Sequence, residues 1–560
     1  MSKFGRSLVK GFLHAQGTKI VNGNGQEIIL QGFGCGNWTN PEGFMVGAPT
    51  DIQLKGDIFS PRLIPPRRFD RRRTFDLVLR ELCGTQYAKD FWPKWYRNHL
   101  SEADIKAMAE VGLNSVRLPI NAMTLLEEEP GLNWIEDGFL MLDDVIDWCE
   151  KYGIYAILDL HGAPGGQSAT ACDGGLDNIP HLFIDDESWE RALCLWEKLA
   201  ERYKDRWIVG GYDLLNEPVS LPNHRYCVPK LAQFYDEAIA RIRKIDKNHM
   251  FTLEGSCFSR SNEIFDHDFD PECHNWCMHV HIYGPSPEKK VLYPYLLKCM
   301  DLNIPIWIGE GGADAINNAV FYQIASEYGI GFCLWAWKVA EDKFGKTNSV
   351  RYRLPKDWER VRRYCAGGPK PSYESSQKIF DELLENIKYE HCIHNKDFIR
   401  QTRRIPPLDL PAVGYDGGAE SFKGRWDYGN LLDYRLEDHM KMPWVPGLEE
   451  PRPGFDMYED ENIQPPFNPL ESLMLELSEG EYAEYTFHEV YPGCQVRFTA
   501  MSRDGGSAEI YVNGVLSGVM HPDVSLSETK ETFELPAGDE CVIRIAGSRG
   551  HVTLKTVCVK

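Results

Sequence analysis

Between residues 28 and 338 the chain alternates short, β-branched apolar runs with longer stretches in which apolar residues recur every three or four positions. Eight runs stand out: IILQGFGCG (28–36), SVRLPI (115–120), YAILDLHG (155–162), IVGGYDLLNE (208–217), HMFTLEG (249–255), WCMHVHIY (276–283), PIWIGEGG (305–312) and GFCLWAWK (331–338). Strand-like runs separated by amphipathic stretches predict parallel strands joined by helical crossovers, and eight such units close a barrel. The helices are legible as well. Ser101 and Asp104 have capping-box spacing ahead of Ile105, Met108 and Ala109, and Gly112 can end that turn. Phe139, Leu142, Val145, Ile146 and Cys149 mark a second helix before Gly153, and Trp189, Ala192, Leu193, Trp196, Leu199, Ala200 and Tyr203 mark a third. That aromatic stripe reads as core packing. The expected fold class is α/β, a (β/α)8 TIM barrel over about residues 1–395 followed by an antiparallel β-sandwich.

One connection, from about residue 37 to 100, is long for a barrel and carries an insertion at about 47–80, where PRLIPPRRFDRRR places six arginines between Arg62 and Arg73. On an acidic chain such a run is ordinarily a solvated or locally paired surface, and a phosphate or acidic-sugar contact is the alternative. A helix is expected around 371–388, and residues 396–470, rich in proline, glycine and acids, read as a linker or wrapping segment. Strict alternation returns over 471–560 in EYAEYTFHEV, CQVRFTAMS, AEIYVNGVL, ECVIRIAG and HVTLKTVCV, with turns at Asp504-Gly505-Gly506 and Asn513-Gly514. This is the sandwich.

With 83 acidic against 61 basic residues the formal charge is -22, which argues against nucleic acid or an anionic membrane as partner. No run approaches the ~20 apolar residues of a membrane span, and the first residues lack a secretory apolar core. Sixteen cysteines in a chain without such a leader are expected to be reduced, which points to the cytoplasm. The cluster Cys273, His274, Cys277, His279 and His281 lacks a second ligand pair at zinc-finger spacing, so no metal is expected. Oligomeric state stays open.

The chemistry is sought at strand ends on the C-terminal face. The fourth run ends in Asn216-Glu217-Pro218 and the seventh carries Glu310, so two carboxylates emerge at one mouth. Cleaving an acetal with retention uses such a pair, one as acid/base and one as nucleophile, about 5–5.5 Å apart. Arg117, His161, His281, Tyr283, Trp335 and Trp337 occupy other strand ends. Arg117 and Tyr283 are suited to holding Glu310 ionised, His161 to a sugar hydroxyl or to Asn216, and Asn216 to the sugar 2-hydroxyl. Trp335 and Trp337, two residues apart, are expected on one strand face, where an indole can stack on a pyranose.

Taken in order, VGLNSVRLPI, ILDLHGAPG, YDLLNEP, HVHIYGP, IWIGEGG and GFCLWAWK resemble family 5 glycoside hydrolases over about residues 30–340. The resemblance implies a retaining β-glycosidase with Glu217 as acid/base and Glu310 as nucleophile, a carbohydrate substrate and no cofactor. DLHGAPGGQ, FWPKWYRNHLSEADIKAMAEVGLNSVRLPI and Trp38 followed by Glu42 are most similar to the exo-β-1,3-glucanase branch, which implies that Glu42 binds terminal-sugar hydroxyls. The CDGGLDNIPHLF segment around Asp173, assigned to substrate binding, departs from that branch. The sandwich resembles family 6 carbohydrate-binding modules in EGEYAEYTF, although Tyr482 and Tyr485 read as ordinary strand residues. The expected function is exo-acting hydrolysis of β-glucosides or gluco-oligosaccharides. A β-mannosidase or a disaccharide-releasing β-glycosidase is the alternative, and a noncatalytic carbohydrate-binding protein the alternative of another class.

Overall fold

Eight parallel strands close in chain order: β1 (Gln31–Gly34), β2 (Ser115–Asn121), β3 (Tyr155–Gly162), β4 (Val209–Asp213), β5 (Met250–Glu254), β6 (Trp276–Tyr283), β7 (Ile306–Gly312) and β8 (Gly331–Trp335), with β8 pairing back to β1. The structure is a computed structural model that describes residues 3–48, 69–175, 177–341, 348–422, 434–448 and 468–560. Every residue of β2 and β3 is buried, which is why parallel barrel strands read as near-continuous apolar runs. Helices Glu136–Tyr152, Asp186–Tyr203, Val228–Ile242, Tyr293–Leu302 and Ala315–Glu327 follow β2, β3, β4, β6 and β7. The crossover after β5 is different, carrying only the four-residue helix Ser256–Ser259 among the described residues. Helix Glu136–Tyr152 ends at Gly153, whose φ of 66° is left-handed and suits glycine.

Before β1, a hairpin of His14–Gln16 and Lys19–Val21 packs against the start of the barrel strands. Lys10 N–H donates to Tyr155 at 2.9 Å and Ala15 N–H to Asn275 at 2.8 Å, residues that begin β3 and precede β6. This covers the N-terminal mouth and leaves the C-terminal mouth to function. The long connection holds helices Arg72–Cys83 and Thr85–His99, and residues 49–68 of the expected insertion lie outside the described residues. Arg71 is anchored to Asp70 at 3.0 Å and the Gly175 carbonyl at 3.1 Å, Arg72 lies 3.3 Å over the Trp92 ring, and Arg73 pairs with Glu128 at 3.0 Å. These three are locally paired; Arg62, Arg67 and Arg68 lie outside the described residues.

The sandwich has two antiparallel sheets, one built on Gln495–Met501 and His551–Val559, the other on Tyr482–Val490, Gly538–Arg549, Ser507–Val512 and Val515–Met520. It begins earlier than the sequence suggested. Leu408–Pro411, inside the expected linker, pairs with Thr556–Val559 and buries Leu408 and Leu410. Prolines on both sides hid this two-residue alternation, and Pro411 is tolerated at a strand end. Tyr485 is buried with its hydroxyl on the Ala412 carbonyl at 2.7 Å, and Tyr482 binds Glu420, so neither forms an open aromatic clamp. Ala319, Val320 and Ile324 of helix Ala315–Glu327 share one apolar cluster with Leu408, Val413 and Tyr485, which joins the barrel to the sandwich.

Candidate active site

At the C-terminal mouth lies a cavity of about 420 Å³ lined by Glu42, His161, Asn216, Glu217, Tyr283, Glu310 and Trp335, with Phe44, Met45 and Val339 supplying an apolar side. Glu310, on β7, is gripped by two donors. Arg117 Nη1 reaches Oε2 at 2.8 Å and the Tyr283 hydroxyl donates to Oε1. Burial pushes the Glu310 carboxyl up, an effect that His281 and Arg117 oppose and Glu217 reinforces.

Glu217 stands opposite. It lies four residues beyond the end of β4, where the sequence reading had extended the strand, and its φ of 41° is left-handed. His281 Nδ1 meets its Oε1 at 2.8 Å, Cys172 Sγ lies 3.5 Å from its Oε2, and its backbone N–H donates to Glu254 at 2.7 Å. One oxygen of Glu217, one of Glu310 and a His281 nitrogen fall within 4.8 Å of one another.

Beneath the cavity, Arg117 is fully buried and contacts Asp213 at 2.8 Å, Asn216 Oδ1 at 2.8 Å, Glu254 at 2.9 Å and Asp159 at 3.2 Å. Burial works against its charge, but Asp159, Asp213, Glu254 and Glu310 together hold the guanidinium protonated. Burial pushes Asp159 well above the carboxylate range despite Arg117. His161 stacks on Trp335, with ring centroids 5.0 Å apart and planes 4° apart, and its Nδ1 meets Asp159 at 2.7 Å. Burial and then Arg117 lower the His161 pKa to about 4. His281 moves the other way: burial opposes its charge, but Glu254 and Glu310 hold it well above the usual imidazole range.

Glu42 faces the cavity while 8% exposed, and its carboxyl has no hydrogen-bond partner among the described residues. Burial, then the charges of Glu310 and Glu217, push it well above the carboxylate range.

Two sequence assignments need correction. Trp337 lies outside the cavity, 3% exposed, with its indole N–H on Asp104 at 2.9 Å and its ring against Phe33. Period-two alternation holds only within a strand, and β8 ends at Trp335, so Trp335 alone faces the cavity. Asp173 is the second. Its carboxylate is occupied by the N–H groups of Ser168 at 3.0 Å, Ala169 at 3.1 Å and Gly175 at 2.8 Å, so it staples the 168–175 loop instead of lining the cavity.

Glu254 was missed, although its place at the end of β5 in FTLEG parallels that of the other strand-end acids. Asp159 and Asp213 were passed over because they sit inside apolar runs. Cys273 and His274 do not join the site: His274 pairs with Asp268 at 2.8 Å, whereas His279 and His281 lie in the barrel. Among the described residues, two groups of three bring possible metal ligands together, Glu254–His279–His281 and Glu217–His281–Glu310. Arg117 already supplies a cation to a carboxylate of each.

A family model described as Cellulase (glycosyl hydrolase family 5) matches residues 77–341. The chain is 32% identical over 274 residues to a Beta-xylosidase of Phanerodontia chrysosporium, covering 49% of this chain and 52% of that one. It is 31% identical over 199 residues to a Glucan 1,3-beta-glucosidase of Candida oleophila, covering 34% of this chain and 42% of that one. The chain thus spans about half the length of the curated relatives it matches. A solved endogalactoceramidase aligns over 98% of this chain and 100% of its own, at 15% identity and a TM-score of 0.44.

Proposed function

We propose that this protein is a retaining, exo-acting β-glycosidase of β-glucosides or gluco-oligosaccharides, with Glu310 as nucleophile and Glu217 as acid/base, a reading supported by the match of the glycosyl hydrolase family 5 model to residues 77–341. The observation that carries the reading is the approach of the two carboxylates to within 4.8 Å in unlike surroundings. That spacing suits covalent catalysis at about 5–5.5 Å and is too small for the water that an inverting pair, about 6.5–9.5 Å apart, holds between them. Glu310, held by Arg117 and Tyr283, attacks the anomeric carbon while Glu217 protonates the departing oxygen. Glu217 then takes a proton from the water that opens the glycosyl ester.

Exo action rests on the cavity's small-molecule size and on Glu42, a buried acid suited to hydroxyls that only a chain end leaves free. We also propose a reducing compartment, in keeping with sixteen free cysteines.

The test is hydrolysis of an aryl β-glucoside followed by early-time NMR, run beside the xyloside because one relative is named Beta-xylosidase. The β-anomer should appear first. First appearance of the α-anomer, or near-normal turnover in folded Glu310→Gln, overturns the mechanism. Internal cleavage of a long β-glucan ahead of monosaccharide or disaccharide release overturns the exo reading.

A further inference from the structure

Glu254 ends β5 and is fully buried beneath the cavity. Its Oε2 accepts the backbone N–H of Glu217 at 2.7 Å, and its Oε1 accepts from Arg117 Nη2 at 2.9 Å. That same Oε1 lies 3.3 Å from His279 Nδ1 and 3.4 Å from His281 Nε2. His281 in turn meets the Glu217 carboxylate through Nδ1 at 2.8 Å. Glu254 therefore holds the Glu217 backbone directly and stands 3.4 Å from the imidazole that meets the Glu217 side chain, whose Nε2 makes its hydrogen bond with His279 Nε2 at 3.1 Å. We propose that Glu254 is a positioning residue for the general acid/base, a proposal that rests on the reading of Glu217 given above.

Two asymmetries direct this role to Glu217 and not to Glu310. Without the Glu254 charge, Arg117 keeps Asp159, Asp213 and Glu310, and Tyr283 keeps its hold on Glu310, so the nucleophile's clamp survives. The Glu217 carbonyl accepts from the Ser220 hydroxyl at 2.7 Å, but its N–H has Glu254 as its partner. Glu217 lies past the last residue of β4, beyond the strand ladder. A non-glycine residue at a φ of 41° keeps its side-chain direction only while its surroundings fix the backbone. The charge state agrees with the geometry. Burial opposes ionisation of Glu254, but His279, His281 and Arg117 hold its carboxyl well below the usual range, in the charged form that attracts both imidazoles and accepts from Arg117 and from the Glu217 N–H. Asp213, 3.2 Å from His279 Nδ1, and Glu310, 3.9 Å from His281 Nε2, also face this imidazole pair.

The test compares folded Glu254→Gln with Glu217→Ala and wild type in glycosylation kcat/KM over aryl β-glycosides of graded leaving-group pKa. Loss of general-acid action should cost about 10²-fold or more on poor leaving groups and less than about tenfold on a dinitrophenyl glycoside. Azide should restore turnover of the dinitrophenyl substrate. It attacks the anomeric carbon of the glycosyl-Glu310 ester, forms a C–N bond in a β-glycosyl azide and releases the Glu310 carboxylate, a product that a general loosening of the fold does not favour. A uniform loss across the series, or no loss, overturns the proposal. Should Glu254→Gln fail to fold, Glu254→Asp is judged by the same slope, and failure of both to fold assigns Glu254 to stability and overturns it too. If Glu217→Ala shows no leaving-group dependence, the acid/base assignment falls with the proposal; a slope in Glu217→Ala alone removes only the role of Glu254.

Discussion

Removing one hydroxyl, in Tyr283→Phe, tests how Glu310 is kept ionised. Two donors serve that carboxylate, the Tyr283 hydroxyl on Oε1 and Arg117 Nη1 on Oε2 at 2.8 Å, so the variant removes one and keeps the guanidinium. Burial already pushes the Glu310 carboxyl upward, with His281 and Arg117 opposing. A hydrogen bond to a charged group contributes about 1.5–3 kcal/mol, and one pKa unit is about 1.4 kcal/mol, so the lost donor is equivalent to about one to two units. The donor favours the ionised form, so its loss raises the pKa. Because the nucleophile must be ionised in the free enzyme, the acid limb of kcat/KM should move to higher pH by about one to two units. The alkaline limb, set by the acid/base, should stay within a few tenths. The assay is kcat/KM for an activated aryl β-glucoside across pH at constant ionic strength, with circular dichroism to confirm folding at each end. An acid limb that stays in place or moves to lower pH refutes the assignment of Tyr283 as a donor to an ionised nucleophile.

Trp337→Phe removes the indole donor to Asp104 and should lower stability by about 1–3 kcal/mol in urea unfolding while kcat/KM changes less than about twofold. Trp335→Ala should instead raise KM for aryl glycosides with little change in unfolding midpoint, and the reverse assignment of effects would return Trp337 to the cavity. Glu42→Gln keeps the shape of a side chain whose carboxyl is pushed well above the usual range, so kcat/KM near neutral pH should fall by less than about tenfold, or about 1.4 kcal/mol; a much larger loss would show that Glu42 acts as a carboxylate. Arg404→Met breaks a buried pair with Asp416 at 2.7 Å that lies where the barrel meets the sandwich, and calorimetry should show a loss of about 3–5 kcal/mol with nearly unchanged kinetics on aryl glycosides well below the transition.

The barrel was legible because parallel strands buried on both faces must be apolar throughout, and each of the eight runs overlaps a barrel strand. Strand ends were less legible. Asn216 and Glu217 continue the apolar run of IVGGYDLLNE in sequence, yet β4 ends at Asp213, and the Glu217 N–H goes to the Glu254 carboxylate, a long-range partner that no local pattern announces. The same limit misplaced Trp337: alternation was extended past Trp335, where β8 ends. Asp173 misled for a different reason. An acid in a loop beside a sugar site looks like a ligand, whereas only the folded loop reveals that three backbone N–H groups occupy it. The first sandwich strand was obscured by prolines that mark a linker in sequence but lie around an edge-compatible LDLP strand in the fold.

Arg117 fixes more than the charge of Glu310. A guanidinium can only donate, so the group that Asn216 presents to Nη2 at 2.8 Å must be its carbonyl oxygen, which turns the amide nitrogen toward His161 Nε2, 3.4 Å away. That nitrogen donates in turn, so Nε2 accepts and the imidazole carries its proton on Nδ1, where it meets Asp159 at 2.7 Å. A pKa lowered to about 4 by burial and then by Arg117 keeps His161 neutral, as this chain of donors requires, and the stacked Trp335 ring fixes the imidazole plane. The second N–H of Asn216 is thereby left for the cavity that the residue lines, a donor oriented before any sugar arrives. Its proposed target, the sugar 2-hydroxyl, and the proposed nucleophile therefore depend on one buried cation. An Arg117 substitution would unfix both at once, whereas exchanges at Glu310 or Glu217 leave the Asn216 donor where it is.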